Sequence, residues 1–217
     1  MNLKQKRLVV CRLLNWFEKR GRSFPWRKTK DPYKIFIAET LLQKTNVEKA
    51  LPAYLTIIKR YPTIKALSKA HIRDLRRVIA SLGLIKRALF LKMGALYVTK
   101  TLQTKFPANV SELKRIIGIG DYMAHAIMCF SHNKRLPLVD TNVARVYSRI
   151  YNYKSSKFPY ADKCLWKLAQ DLLPIKHFKE YNLALLDLSA LVCLPSNPRC
   201  EKCPCKRCCI YYRQRYQ

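Results

Sequence analysis

"KFPANVSELKRIIGIGDYMAHAIMCF", residues 105–130, decides the fold. Apolar side chains fall at helical spacing on both sides of one tight glycine turn. Leu113, Ile116 and Ile117 give the first segment a packing face, Gly118-Ile119-Gly120 makes the turn, and Ala124, Ile127 and Met128 give the second segment its own. The pattern is helix, hairpin, helix. Glycines at the turn bare backbone N–H groups, and the following helix start adds the positive end of its dipole, so a phosphate can dock there. A plain helix-to-helix turn would carry the same letters, and this stretch alone leaves both readings open.

Outward from the hairpin, helical periodicity continues in both directions and strand signals are scarce, which predicts an all-α protein. "DPYKIFIAETLLQKT" (31–45) starts with Asp31 as N-cap and Pro32 at the first helical position, followed by Ile35, Ala38, Leu41 and Leu42 on one face. Leu67–Leu75 and Leu75–Leu82 repeat this style until "SLGL" (81–84) breaks it. Of the five glycines, three sit in "SLGL" and "IIGIGDY", places where the backbone must turn sharply or approach a ligand closely. In "LPLVDTNVARVYSRIY" (136–151), Asp140 ends a short apolar run and Val143, Val146, Tyr147 and Ile150 mark the next helix. Asp140 reads first as a simple N-cap; the other reading is a carboxylate held ionised by helix-end amides and aimed into a cleft.

Six of the nine cysteines crowd "CLPSNPRCEKCPCKRCCIYY" (193–212). The opening "MNLKQKRLVVCRLLNWFEKR" has too short and too interrupted an apolar run for a secretory signal, so a disulfide framework is not expected and the thiols are read as reduced metal ligands in an intracellular compartment. Zinc usually takes two close pairs held apart by a long arm. Cys200/Cys203 and Cys205/Cys208 are pairs, but one residue separates them. The set Cys193, Cys200, Cys203 and Cys209, spaced C-x6-C-x2-C-x5-C, leaves a wider loop able to surround a [4Fe–4S] cluster with one thiolate per iron, and this is the preferred assignment.

The chain of 217 residues is 49% apolar, with no uninterrupted run near the ~20 residues of a membrane span. Lys and Arg number 43 against 13 Asp and Glu, a formal +30. Such an excess is self-repulsive unless a polyanion offsets it, and nucleic acid is the natural partner. Charge alone also fits a ribosomal or membrane-surface protein.

Three motifs taken in order, "IIGIGDYMAHAI", then "VDTNVARV", then the four-cysteine spacing, resemble the helix-hairpin-helix DNA glycosylases of the endonuclease III superfamily, and the likeness runs from "FPWRKTKDPYKIFIAETLLQKT" to the C-terminal cysteines. The resemblance implies two helical lobes, residues 29–139 containing the hairpin and residues 1–28 with 140–217 carrying the cluster loop 193–209. Duplex DNA with a mispaired or damaged base would lie across the cleft between them. Gly118 and Gly120 match the phosphate-gripping hairpin, which often holds a monovalent cation, and Asp140 matches the catalytic aspartate. Where bifunctional members carry a lysine nucleophile, this chain has Tyr122, which implies a monofunctional enzyme without efficient lyase activity. Glu39 matches a glutamate shared by adenine- and thymine-releasing members. Gln43 and Leu84 match positions that fill the space of the extruded base or touch the orphan base.

The adenine-releasing group usually carries a further C-terminal domain and an aromatic pair after "GLG"; here the sequence runs eight residues past Cys209 and has Leu84 and Ile85. The resemblance therefore implies release of thymine or uracil mispaired with guanine by a cytoplasmic, monomeric enzyme. Adenine release from A/G or A/8-oxoguanine pairs and a non-catalytic DNA-binding protein are the alternatives. Cys205 and Cys208 are extra relative to the family pattern.

Overall fold

The computed structural model describes residues 3–216, and these contain α and 3-10 helices and no strand. In chain order the α-helices are α1 (Leu3–Arg20), α2 (Pro32–Leu42), α3 (Val47–Arg60), α4 (Ile64–Lys69), α5 (Ile72–Ile79), α6 (Lys86–Lys100), α7 (Val110–Leu113), α8 (Asp121–His132), α9 (Thr141–Tyr151), α10 (Lys163–Leu172), α11 (Phe178–Leu191) and α12 (Ile210–Tyr216). They fall into two compact units, residues 24–134 and residues 1–23 with 135–217. None of these helices is long and apolar enough to cross a membrane.

The units divide a few residues earlier than the sequence placed the boundaries. Trp26 is buried, stacks on Phe24 at 5.0 Å and meets Tyr54 edge-on at 5.0 Å, which draws the 24–28 segment into the hairpin unit. At the other boundary, Arg135 donates to the carbonyls of Pro174 and Gln170, each at 3.1 Å, while the Asn182 amide donates to Leu136 and accepts from the Leu138 N–H. Residues 135–139 therefore belong with α10 and α11.

In the hairpin unit, α2 is buried nearly all round and packs against α3, α6 and α8. Asp31 caps it by accepting from Tyr33 N–H at 2.9 Å, and Pro32 occupies the first helical position. The segment read as Leu67–Leu75 is broken at Ala70 and His71, both extended, so it ends as α4 and restarts as α5. The first hairpin helix is also shorter than its pattern. α7 covers four residues, Ile116 is buried, and Ile117 is 46% exposed rather than packed.

The second unit joins both ends of the chain. α1 packs on α11, and Val9 and Leu13 share a core with Val143, Tyr147, Leu165 and Leu188. Asp187, fully buried on α11, accepts from the Arg22 backbone N–H at 2.8 Å and from its Nε at 2.7 Å. A buried carboxylate needs such charge-assisted partners to offset its desolvation.

Candidate functional site

Asp140 is the N-cap of α9, half-buried, in extended backbone (φ −125°, ψ −177°). Its Oδ1 accepts from Val143 N–H at 2.7 Å, satisfying one of the donors a helix start leaves orphaned. Capping accounts for that oxygen alone. Oδ2 accepts from the Asn142 amide at 3.0 Å, Asn142 Oδ1 in turn accepts from Arg145 Nη1 at 2.9 Å, and the other faces of that guanidinium hold the carbonyls of Cys193 and Ser189, each at 3.0 Å. A continuous hydrogen-bonded chain thus runs from the Asp140 carboxylate to Cys193 within one unit.

Cys193 opens the sulfur-rich segment, and one cavity is lined by Cys193, Cys200, Cys203 and Cys209 together with Arg149, Tyr211 and Tyr212. Cys205 and Cys208 are buried, as Cys209 is, but do not line this cavity. Burial pushes the Cys209 thiol up to about 11; the Tyr212 backbone N–H opposes this, and Cys203, Cys193 and Cys200 add to it by repulsion. Burial also raises Cys200, again with Cys203 and Cys193 contributing. Cys200 and Cys209 share this cavity with Cys193 and Cys203, and four sulfurs around one space are the donor set that a multi-iron centre takes. No three His, Cys, Asp or Glu side chains among the described residues stand close enough to share a single ion; a cubic cluster asks instead for thiolates spread around a space. Arg149 fastens the loop, donating to Leu194 at 2.6 Å, to Pro195 at 2.9 Å and to Cys193 Sγ at 3.4 Å.

In the other unit the hairpin turn is built as glycine requires at one position and permits at the other. Gly118 has φ +90°, and a Cβ there would stand 2.8 Å from Phe90 Cβ, so any other residue is both strained and crowded. Gly120 caps α8 in extended backbone (φ −96°, ψ −173°) with nothing within 4 Å of an added Cβ. Its missing side chain leaves open space before the first N–H groups of α8. Tyr122 sits at the second position of that helix, half-buried, and Glu39 lies half-buried near the end of α2, which packs on α8. Gln43 is the C-cap of α2, and Leu84 is 41% exposed just after Gly83 (φ +88°).

A family model for HhH-GPD superfamily base excision DNA repair proteins matches residues 37–171. A thymine/uracil-DNA glycosylase of Methanothermobacter thermautotrophicus is 32% identical over 97% of this chain and 96% of its own. The chain belongs to the HhH-GPD superfamily. Within this superfamily it is also 36% identical to an adenine DNA glycosylase of Buchnera aphidicola subsp. Baizongia pistaciae, over 92% of this chain, and it spans only 57% of that relative's length. Among solved structures, a thermostable thymine-DNA glycosylase superposes with a TM-score of 0.90 at 32% identity, covering 97% of this chain and 98% of that one.

The HhH-GPD match contains Glu39, Gln43, Leu84, Gly118, Gly120, Tyr122 and Asp140, whereas the cysteine loop lies beyond it. Sequence reasoning missed the residues that hold these groups: Asn142, Arg145 and Arg149 on α9, and Arg87, a fully buried arginine between the turns that carry Gln43 and Leu84. Two arginines four residues apart directly after Asp140 were a visible signal for one helix face acting together. Nothing local marked Arg87.

Proposed function

We propose that the protein is a monofunctional DNA glycosylase that hydrolyses the N-glycosidic bond of thymine or uracil mispaired with guanine. The observation that carries this reading is Asp140: a carboxylate at a helix start, oriented through both oxygens, in a chain that spans a thymine/uracil-DNA glycosylase relative almost end to end. A base stacked in a duplex is out of reach, so the nucleotide must be extruded, and a mispaired base costs least to unstack. Cleavage builds oxocarbenium character on the deoxyribose, which a carboxylate beneath it stabilises while aligning the attacking water. Val143 N–H and the Asn142 amide fix the direction of that carboxylate.

Glu39 would place a water or give a proton to the leaving base, and Tyr122, having no amine, would contact the extruded base without forming a Schiff base. Gly118 and Gly120 would present backbone N–H groups to phosphate, with the formal +30 supplying non-specific affinity. Cys193, Cys200, Cys203 and Cys209 would hold a [4Fe–4S] cluster, which supplies four iron–thiolate bonds that cross-link the segment between α11 and α12. Adenine release is the second reading, favoured by Glu39 and by the 36% identity to the Buchnera enzyme. Incubating the protein with duplexes carrying G·T, G·U, A·G and A·8-oxoguanine pairs, then resolving alkali-cleaved strands and free bases, decides between them. Thymine or uracil release supports the first reading, adenine release the second, and no release from any pair sinks both.

A further inference from the structure

Arg87 is the largest fully buried side chain of the described residues, 1% exposed. It forms no bond to a charged group. Its Nη1 donates to the Leu41 carbonyl and to Thr45 Oγ1 at 2.7 Å, its Nη2 to the Leu82 carbonyl at 2.9 Å, and its Nε to the Leu84 carbonyl at 3.3 Å. A buried guanidinium facing only neutral acceptors is costly, since its charge loses hydration and gains no counter-charge. What it provides in return is geometric. A planar fork of donors can hold several carbonyls at fixed angles, which an ammonium cannot.

Those acceptors belong to two different turns. Leu41 and Thr45 flank Gln43, in a turn where Lys44 takes a left-handed φ of 53°, and Leu82 and Leu84 flank Gly83 at φ +88°. The two turns also pack through α3 and the 80–82 turn, but their other hydrogen bonds stay local: Thr45 N–H and Oγ1 bond back to Leu42 and Gln43 within their own turn, and Gly83 and Ile85 bond to Ala80 and Gly83 within theirs. Leu84 and Ile85, 41% and 52% exposed, stand apolar at the tip of the second turn.

We infer that Arg87 is a positioning residue that locks the Gln43 turn and the Leu84 turn into one rigid two-pronged edge, through which the protein wedges apart the base stack. This rests on the proposed glycosylase reading and deepens it, because buried Arg87 acts only through the two prongs. An edge that invades a stack must not yield when the duplex pushes back, and one fork shared by both turns makes them move as a unit.

The test is single-turnover excision by Arg87→Lys on two substrates carrying the same target base: a fully mispaired duplex, where extrusion must be driven, and a one-nucleotide bulge, where the base is already unpaired. The rate on the mispaired duplex should fall by about tenfold or more while the bulge rate changes by less than about twofold. In a Gln43→Ala/Leu84→Ala background the same substitution should have no further effect, and 2-aminopurine beside the mispair should brighten less on binding. Equal losses on both substrates, or an undiminished loss in the double-alanine background, would overturn the inference and leave Arg87 a fold-maintaining residue. Should Arg87→Lys not fold, Thr45→Val removes one Arg87 acceptor together with the long Oγ1 bond to the Gln43 carbonyl, and Thr45→Ser, which keeps both, is its control; a smaller loss with the same substrate selectivity is expected for Thr45→Val, uniform loss or none overturning the inference. A wild-type protein inactive on bulge and mispair alike would instead overturn the glycosylase reading itself, and the aminopurine signal then still reports whether the edge opens the stack in an Arg87-dependent way.

Discussion

Replacing Arg145 by methionine should uncouple Asp140 from the cysteine loop. Methionine keeps most of the aliphatic packing of α9 but removes three hydrogen bonds, to Cys193 and Ser189 carbonyls at 3.0 Å and to Asn142 Oδ1 at 2.9 Å. Bonds from a charged donor are worth roughly 1.5–3 kcal/mol each, and the freed acceptors here are only partly buried and recover some hydration, so about 1 kcal/mol per bond, ~3 kcal/mol in all, is a reasonable loss. For a chain of this size that corresponds to a fall in melting temperature of roughly 6–12 °C. Arg149→Met is the control, because it releases Leu194 and Pro195 carbonyls and Cys193 Sγ but touches neither Asn142 nor Asp140. Both variants should melt earlier by similar amounts. Only Arg145→Met should also slow base release at a temperature where both are folded, by about tenfold, with DNA affinity retained. Equal excision rates for the two variants would refute the claim that the Asn142–Arg145 chain orients the carboxylate.

The hairpin glycines should separate by phenotype: Gly118→Ala meets Phe90 at a positive φ and should lower the melting temperature, while Gly120→Ala has room, should melt like the wild type, and should weaken DNA binding in a gel-shift titration. Borohydride should trap no covalent complex between the wild type and substrate DNA, and Tyr122→Lys should gain one, since only an amine forms the reducible Schiff base. At Asp162 desolvation pushes the carboxyl upward, but the N–H groups of Ser156 and Leu165 and the Tyr153 hydroxyl outweigh it and hold the pKa below the usual carboxylate value. A depressed pKa stabilises the fold above the unfolded-state value near 4 and ceases to do so as pH falls through the folded value. Protection factors at residues 153–165, corrected for the intrinsic pH dependence of exchange, should therefore fall below about pH 4 in the wild type, and Asp162→Asn should remove that acid step.

Local chemistry made much of the fold legible. Asp31-Pro32 announced α2, and Val143, Val146, Tyr147 and Ile150 are all buried on α9, because a helix start and a helical stripe are written within one or two turns of sequence. The break between α4 and α5 was not legible, since no glycine or proline marks Ala70 and His71 and the backbone extends there under tertiary packing. Ile117 misled for a related reason: its spacing suited a helix that ends at Leu113. The cysteine spacing picked out the four thiols that line one cavity, whereas the burial of Cys205 and Cys208 depends on α1 and α9 packing against the loop. The supporting arginines lay furthest from view. Arg145 reaches carbonyls 44 and 48 positions away and Arg87 reaches across 46, distances over which side-chain geometry leaves no local pattern.

Asp140→Asn tests the central claim most directly. Asparagine can still accept from Val143 N–H, so α9 should keep its cap, the melting temperature should stay close to the wild type, and mispaired DNA should still bind. Release of thymine or uracil from G·T and G·U duplexes under single-turnover conditions should fall by at least about a hundredfold. Undiminished release by the folded variant would contradict the assignment of this carboxylate to the reacting sugar.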